Sequence, residues 1–393
     1  MPSHGSSSDL EEGSNPAEDS ESYSSASNDD FTDSDDLSSS SSSPQDHSGP
    51  AVPASHLSSL LQETSLSIRD LLVSAPPQLE KPPSPLEFLR IVHAGRPVVI
   101  KGITGLPGWE RIGELEKRKT WTELLTTNEK NGKIQISMTP DGRADSLVDG
   151  LFALPLEVDM LVEASLEKIA NLVTSPSEQS NDTGKRRIHY IQSQNSNLNG
   201  DFKPFLDTIV PRTLPFAEEA LGKPPDAANL WLGASKSLTS LHKDPYENVY
   251  VVLRGKKVFR LLPPMSWVPE VDADVARWRL EGEKEWKLER EKPVLTVPWS
   301  SVDLSDPLLR KKYPWLKPLE ITIGPGEALY LPGQWWHAVG QIAPEEEGQA
   351  VEDDRIAGTL AVNYWFDQEY GERWEGVRLV ENLSRLIRDA CID

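Results

Sequence analysis

The sequence predicts a mainly β fold with flanking helices, of sandwich or barrel type, behind an unpacked acidic tail. Three observations predict it. From Asn229 onward, short apolar runs are separated by Gly and Pro, the pattern of short strands joined by turns. Upstream, runs of period two alternate with runs of period near 3.6, which sets strands and helices side by side before the strand-rich part. The first 50 residues hold 18 Ser, 12 Asp+Glu and no Lys or Arg. Such a segment buries too little apolar surface to offset the entropy of ordering, so disorder is expected over 1–55.

The elements follow in order. Leu57, Leu60, Leu61, Ile68, Leu71 and Leu72 lie at helical spacing on a short amphipathic segment, and a Pro-rich linker from Gln78 to Pro83 completes a connecting stretch over 56–83. The domain proper runs over 84–393. Ser84-Pro85-Leu86-Glu87 is a capping box with Pro at the first helical position, and Gly95 ends that helix. Pro97 to Ile100 and Lys133 to Met138 read as strands, and Pro140-Asp141-Gly142 as a turn. Glu157 to Val173 has helical periodicity, His189 to Gln192 looks like a strand, and Pro215 to Leu221 is a helix stopped by Gly222. Further strands are expected at Asn229–Leu232, Asn248–Arg254, Lys257–Leu262, Leu319–Ile323, Ala328–Leu331 and Thr359–Phe366. Between them, residues 266–318 form a long insertion with five of the 12 Trp, a length that marks a functional loop or a packed cover. A last helix over 371–390 carries the stripe Trp374, Val377, Val380, Leu383, Leu386 and Ile387, which packs on its own domain or makes a homodimer.

Composition narrows the function. The 393 residues carry 40 Lys+Arg and 62 Asp+Glu, a net charge of −22, which argues against nonspecific nucleic-acid or anionic-membrane binding. The single cysteine, Cys391, excludes a disulfide within the chain and a cysteine-ligated zinc or iron–sulfur site. It fits a reducing compartment, cytoplasm or nucleus. No apolar run resembles a signal peptide or is long enough to span a membrane, so secretion is not expected. Ser34-Asp35-Asp36 reads as a phosphorylation site or as part of a solubilising tail, and Lys185-Arg186-Arg187 is too short to mark nuclear import.

The chemistry concentrates in the β region. His242-Lys243-Asp244 places an imidazole and a carboxylate two residues apart, and on a strand residues i and i+2 share a face. A third ligand is available in His337, after the run Tyr330 to Trp336. Two His and one carboxylate on one face leave coordination positions open, as non-haem Fe(II) oxygenases require for O2 and a cosubstrate. Lys257 lies in an apolar strand, and a buried lysine calls for an anion. The distal carboxylate of 2-oxoglutarate fits that need. Thr239, Asn248 and Tyr190 offer a hydroxyl, an amide and a phenol to complete a dicarboxylate pocket. Asp367 and Glu247 are candidate partners for a substrate ammonium, or surface carboxylates.

Here the sequence resembles a known family. His242-Lys243-Asp244-Pro245-Tyr246-Glu247-Asn248-Val249-Tyr250, Gly255-Lys256-Lys257-Val258-Phe259 and Leu329-Tyr330-Leu331-Pro332 leading to Trp336-His337 look like a JmjC-domain 2-oxoglutarate/Fe(II) oxygenase of the small hydroxylase type. Pro225 to Gly233, Arg96 to Ile100 and Thr139 to Asp145 extend the likeness, which covers roughly Ser84 to Asp393. The resemblance implies a double-stranded β-helix (jelly-roll, cupin-like) core that binds Fe(II), 2-oxoglutarate and O2. It implies His242, Asp244 and His337 as metal ligands, Lys257, Tyr190 and Thr239 on the distal carboxylate, and Asn248 and Asn363 lining the pocket. The implied reaction is hydroxylation of a protein side chain, a lysyl residue first. The insertion and an acidic stretch, Glu345–Glu347 with Glu352–Asp354, depart from the family pattern and are expected near the jelly-roll mouth. Alternatives are histone lysine demethylation at the same iron site, metal-dependent peptide cleavage, which finds no zincin motif here, and a non-catalytic cupin-like binding module.

Overall fold

The computed structural model describes residues 52–71, 75–174, 187–192, 196–206, 208–282, 285–350 and 352–390. The serine-rich tail, its phosphorylation candidates, Lys185-Arg186 and Cys391 lie outside the described residues. The chain runs α1 (Ala54–Asp70), β1 (Gln78–Leu79), α2 (Pro85–Ala94), β2 (Val98–Ile100), α3 (Arg118–Leu125), β3 (Lys133–Thr139), β4 (Arg143–Ala144), β5 (Ser146–Val148), β6 (Leu151–Leu154), β7 (Leu156–Leu161), α4 (Val162–Thr174), β8 (Ile188–Tyr190) and α5 (Pro215–Leu221). It continues with β9 (Ala227–Gly233), β10 (Leu238–His242), β11 (Tyr246–Arg254), β12 (Lys256–Leu262), β13 (Glu270–Glu281), β14 (Glu285–Arg290), β15 (Thr296–Ser300), α6 (Pro307–Lys312), β16 (Leu319–Ile323), β17 (Ala328–Leu331), β18 (Trp336–Ile342), β19 (Thr359–Asp367) and α7 (Glu372–Ala390).

Two sheets carry the site. A six-stranded sheet has the order β1-β2-β17-β11-β19-β9, and a five-stranded sheet the order β16-β12-β18-β10-β4. Side chains alternate across each strand, so one set faces the interior between the sheets and the other faces out. On β11, Tyr250 and Val252 join Phe259, Leu261, Ile321, Leu329 and Ala361 inside. Val249, Val251 and Leu253 point outward into a larger core with Phe88 and Phe216 of the helices α2 and α5. Phe88 meets Phe216 and Tyr330 edge-on at 5.0 and 5.1 Å. The expected capping box holds α2: Glu87 N donates to Ser84 Oγ at 3.3 Å and Ser84 N to Glu87 Oε2 at 2.8 Å.

The chain changes sheets at Gly255, between β11 and β12. Its φ of +70° suits glycine, and a Cβ there would lie 2.6 Å from Thr359 Oγ1 and 2.8 Å from the Ile342 carbonyl oxygen.

Several expectations change. Glu157–Leu161 is strand, not helix. It alternates half-buried and exposed residues in β7 against β3, and the helix begins only at Val162. Part of the Pro-rich linker is ordered, because Gln78–Leu79 pairs parallel with β2. The insertion is a sheet of its own: β13 pairs with β14 and β15, and with β6 from the N-terminal half. The acidic stretch is not at the mouth. It follows the far end of β18, where Glu345 pairs with Arg254 and Glu347 with Lys256 at 2.6 Å. The stripe on α7 is covered within the chain, since Leu57 and Leu61 of α1 pack on Val380, Leu383 and Ile387. A homodimer through that stripe therefore meets an occupied face, with Leu379 and Leu386 left outward. No helix among the described residues is long and apolar enough to cross a membrane.

Candidate metal centre

His242 ends β10, and Asp244 lies in the short connection to β11 rather than on the strand itself. The two still meet. Asp244 Oδ2 is 3.6 Å from His242 Nε2 and 3.5 Å from His337 Nε2. The ligand atoms of all three lie within 4.8 Å of one another. Register explains the convergence. His242 pairs with His337 and Thr239 with Val339, so three steps on β10 oppose two on β18. The extra residue is a β-bulge, and it turns Thr239 and His242 to the same interior face although their spacing is odd.

The donor set fits a divalent first-row ion. Each imidazole uses Nδ1 on a main-chain carbonyl, His242 on Ser240 O at 2.8 Å and His337 on Trp335 O at 2.9 Å. An Nδ1–H donated to a carbonyl leaves the Nε2 lone pair for a metal. Burial pushes the Asp244 carboxyl up, but the two imidazoles outweigh it and hold the group well below the usual carboxylate range. Burial likewise opposes charge on His242, yet Asp244 raises it, whereas burial and the neighbouring His242 lower His337. An ionised carboxylate between two nitrogen donors is what intermediate-softness ions bind.

A small cavity farther along β10, β12 and β18, the first and last of which carry His242 and His337, is lined by Lys257, Gln341, Tyr190, Ser237, Thr239 and Trp231. Lys257 is 6 % exposed, and burial pushes its ammonium down to about 7. Its Nζ donates to Gln341 Oε1 at 2.5 Å and lies 5.7 Å from the centre of the Tyr250 ring. The hydroxyls of Tyr190 and Ser237 are both buried; that of Ser237 has no hydrogen-bond partner among the described residues, and that of Tyr190 lies beside the Thr139 hydroxyl. A buried cation with hydroxyls lining the same cavity fits one end of a dicarboxylate. Asn248 and Asn363 line the interior nearby: Asn363 Nδ2 donates to Asn248 Oδ1 at 3.1 Å and Trp231 Nε1 to Asn363 Oδ1 at 2.8 Å.

Two candidates do not join the site. Glu247 faces the outer side of β11, where the Tyr330 hydroxyl donates to it at 2.5 Å and Gly333 N at 3.4 Å. Asp367, next to Tyr246 in register, sits 3.8 Å from Lys223. Sequence reasoning also missed residues. Trp299 of the insertion stacks on the His242 ring at 5.9 Å and 10°, and donates to Ser240 Oγ at 3.1 Å. Asp145 is 8 % exposed beside β4, accepts from Gln192 Nε2 at 2.8 Å, and is raised to about 6 by burial. Lys243 is clamped by Glu381 of α7 and lies 4.8 Å from the Trp336 ring centre. Gln341 carries a usable signal, lying four residues past His337 on the same strand face. Trp299 carries none, because nothing local ties it to His242.

Comparison with known proteins agrees with this geometry. Residues 84–372 match the family model described as a cupin-like domain. The human protein named bifunctional peptidase and (3S)-lysyl hydroxylase JMJD7 is 32% identical over 331 residues, 83% of this chain and 95% of that protein. JmjC domain-containing protein E of Dictyostelium discoideum is 31% identical, covering 77% of this chain and 86% of its own length. Lysine-specific demethylase JMJ32 of Arabidopsis thaliana is 32% identical, over 78% of this chain and 86% of its own.

Proposed function

This chain belongs to the cupin-like, JmjC-type oxygenase family, and from that premise we propose that it is an Fe(II)- and 2-oxoglutarate-dependent dioxygenase that hydroxylates a lysyl residue of a protein. One observation carries the reading: a His-Asp-His ligand set and a buried lysine share one interior. His242, Asp244 and His337 would hold the iron. Lys257 would pair with the distal carboxylate of 2-oxoglutarate, with Tyr190 and Thr239 donating to it and Asn248 and Asn363 along the wall. When bound, iron and cosubstrate supply oxidation of a C–H bond by O2, with succinate and CO2 as co-products.

The chain's own residues do the rest. The main-chain bonds to both Nδ1 atoms fix the imidazoles, and the Trp299 stack braces His242. The apolar interior about Tyr250, Phe259 and Leu261 keeps bulk water from the reacting atoms. The net acidic surface favours a basic partner segment. A reducing compartment, cytoplasm or nucleus, is the setting consistent with one cysteine.

The test is anaerobic titration with Fe(II) and then 2-oxoglutarate, following the visible charge-transfer band of the chelate, with His242→Ala as control. A band in wild type alone supports the site; no band in folded, iron-loaded protein refutes it. Demethylation is the second reading, favoured by the name of the Arabidopsis relative. Formaldehyde from methyl-lysine peptides would select it, and a lysine heavier by one oxygen atom selects hydroxylation.

A further inference from the structure

Asn229 on β9 is 0 % exposed, and neither its Nδ2 nor its Oδ1 has a hydrogen-bond partner among the described residues. It pairs in register with Asn363 and shares the interior face with Trp231. Two residues along β19, Trp365 is 8 % exposed, and its Nε1 is also unpaired. The level of this group follows from the strands. Thr359 Oγ1 donates to the Ile342 carbonyl at 2.9 Å and ties β19 to β18 near the Lys257 end. From that tie, Asn363 lies four residues along β19 and His337 five along β18. Strands rise nearly equally per residue, so Asn363 and its register partner Asn229 stand near the level of the His337 ligand, on the opposite wall.

A buried amide with both ends unmet costs about 1–3 kcal/mol per group, so a bound molecule is expected to complete it. The ligand must both donate and accept. A carboxylate only accepts, and a lysyl ammonium only donates. A peptide group does both. The human relative is named a (3S)-lysyl hydroxylase, and hydroxylation at C3 in this chain's substrate would put the reacting carbon one bond from Cα, which carries the residue's own N–H and C=O into the interior.

Resting on that lysyl C3 reading, we propose that Asn229, assisted by the Trp365 N–H, is the positioning residue that receives the main-chain peptide group of the target lysine. An oxygenase acting at a methylated ammonium leaves the main chain several bonds outside and has no use for such an amide at this depth.

The test uses the full-length Fe(II)-loaded protein with 2-oxoglutarate and two randomised libraries, nine residues long with a central lysine. In the second library an ester oxygen replaces the lysine N–H. Oxidised lysine is read by mass, and 2-oxoglutarate affinity by the charge-transfer band. In wild type the ester is expected to raise the apparent KM about tenfold. Asn229→Leu should raise the KM for the amide library by a similar factor and lose most of the amide-over-ester preference, with 2-oxoglutarate affinity within about twofold of wild type. Equal use of both libraries by wild type would overturn the proposal. So would an undiminished preference in Asn229→Leu, or a 2-oxoglutarate affinity that falls as far as the peptide's. A wild-type protein that forms the band yet oxidises neither library also overturns it. If Asn229→Leu does not fold, the wild-type comparison decides alone. Failure of the oxygenase reading shows separately, as no band, and failure of the lysyl C3 reading as formaldehyde release.

Discussion

Lys257 should make 2-oxoglutarate binding a proton-uptake event. Burial takes its ammonium from 10.5 to about 7. Its described contacts, the Gln341 amide oxygen at 2.5 Å and the Tyr250 ring at 5.7 Å, carry no formal negative charge. A fall of that size weighs about 5 kcal/mol against the charged form. The unfolded chain keeps this proton to about pH 10 and the folded chain only to about pH 7, so the penalty is complete below about pH 7 and fades as pH rises toward 10. The distal carboxylate of 2-oxoglutarate supplies the missing charge, and the complex then holds the proton. Near pH 8, binding therefore takes up close to one proton, and Kd rises up to about tenfold per pH unit above 7. Anaerobic calorimetric titration in two buffers of different ionisation enthalpy measures both quantities. Lys257→Met should bind about 100-fold to 1,000-fold more weakly, take up no proton, and unfold at higher denaturant near neutral pH, since a buried amine has been removed. A Kd constant between about pH 7 and 9 with no proton uptake would refute the reasoning.

Three further outcomes follow from particular contacts. Gly255→Ala forces a positive φ on a Cβ 2.6 Å from Thr359 Oγ1; a loss on the order of 3 kcal/mol is expected, read as a lower urea midpoint at unchanged slope. Trp299→Ala removes the ring stacked on His242; Fe(II) affinity by equilibrium dialysis should fall about tenfold while the melting temperature moves little. Deleting residues 1–72 uncovers Val380, Leu383 and Ile387 on α7; light scattering should show self-association that the full chain lacks, and a clean monomer would show that α1 is dispensable as a cover.

The sequence by itself determined what is local. The α2 cap, the Gly-marked turn between β11 and β12, the strands Leu319–Ile323 and Ala328–Leu331 and the helix Pro215–Leu221 all rest on interactions within a few residues, which composition and spacing encode. The three residues of the candidate metal centre could be singled out for the same reason, since His242 and Asp244 are neighbours and His337 follows a recognisable strand and turn. Tertiary structure alone decided the rest. The β10 bulge that aims Thr239, the Gln341 partner of Lys257, the Trp299 brace and the unmet amide of Asn229 depend on which strand lies beside or across from which. Alternation also misled where a short strand ran straight into a helix, as at Leu161–Val162, and where Glu247 fell on the outer face by a one-residue parity. Pairing register is set by the whole sheet rather than by any one segment, so those contacts had no local signature to read.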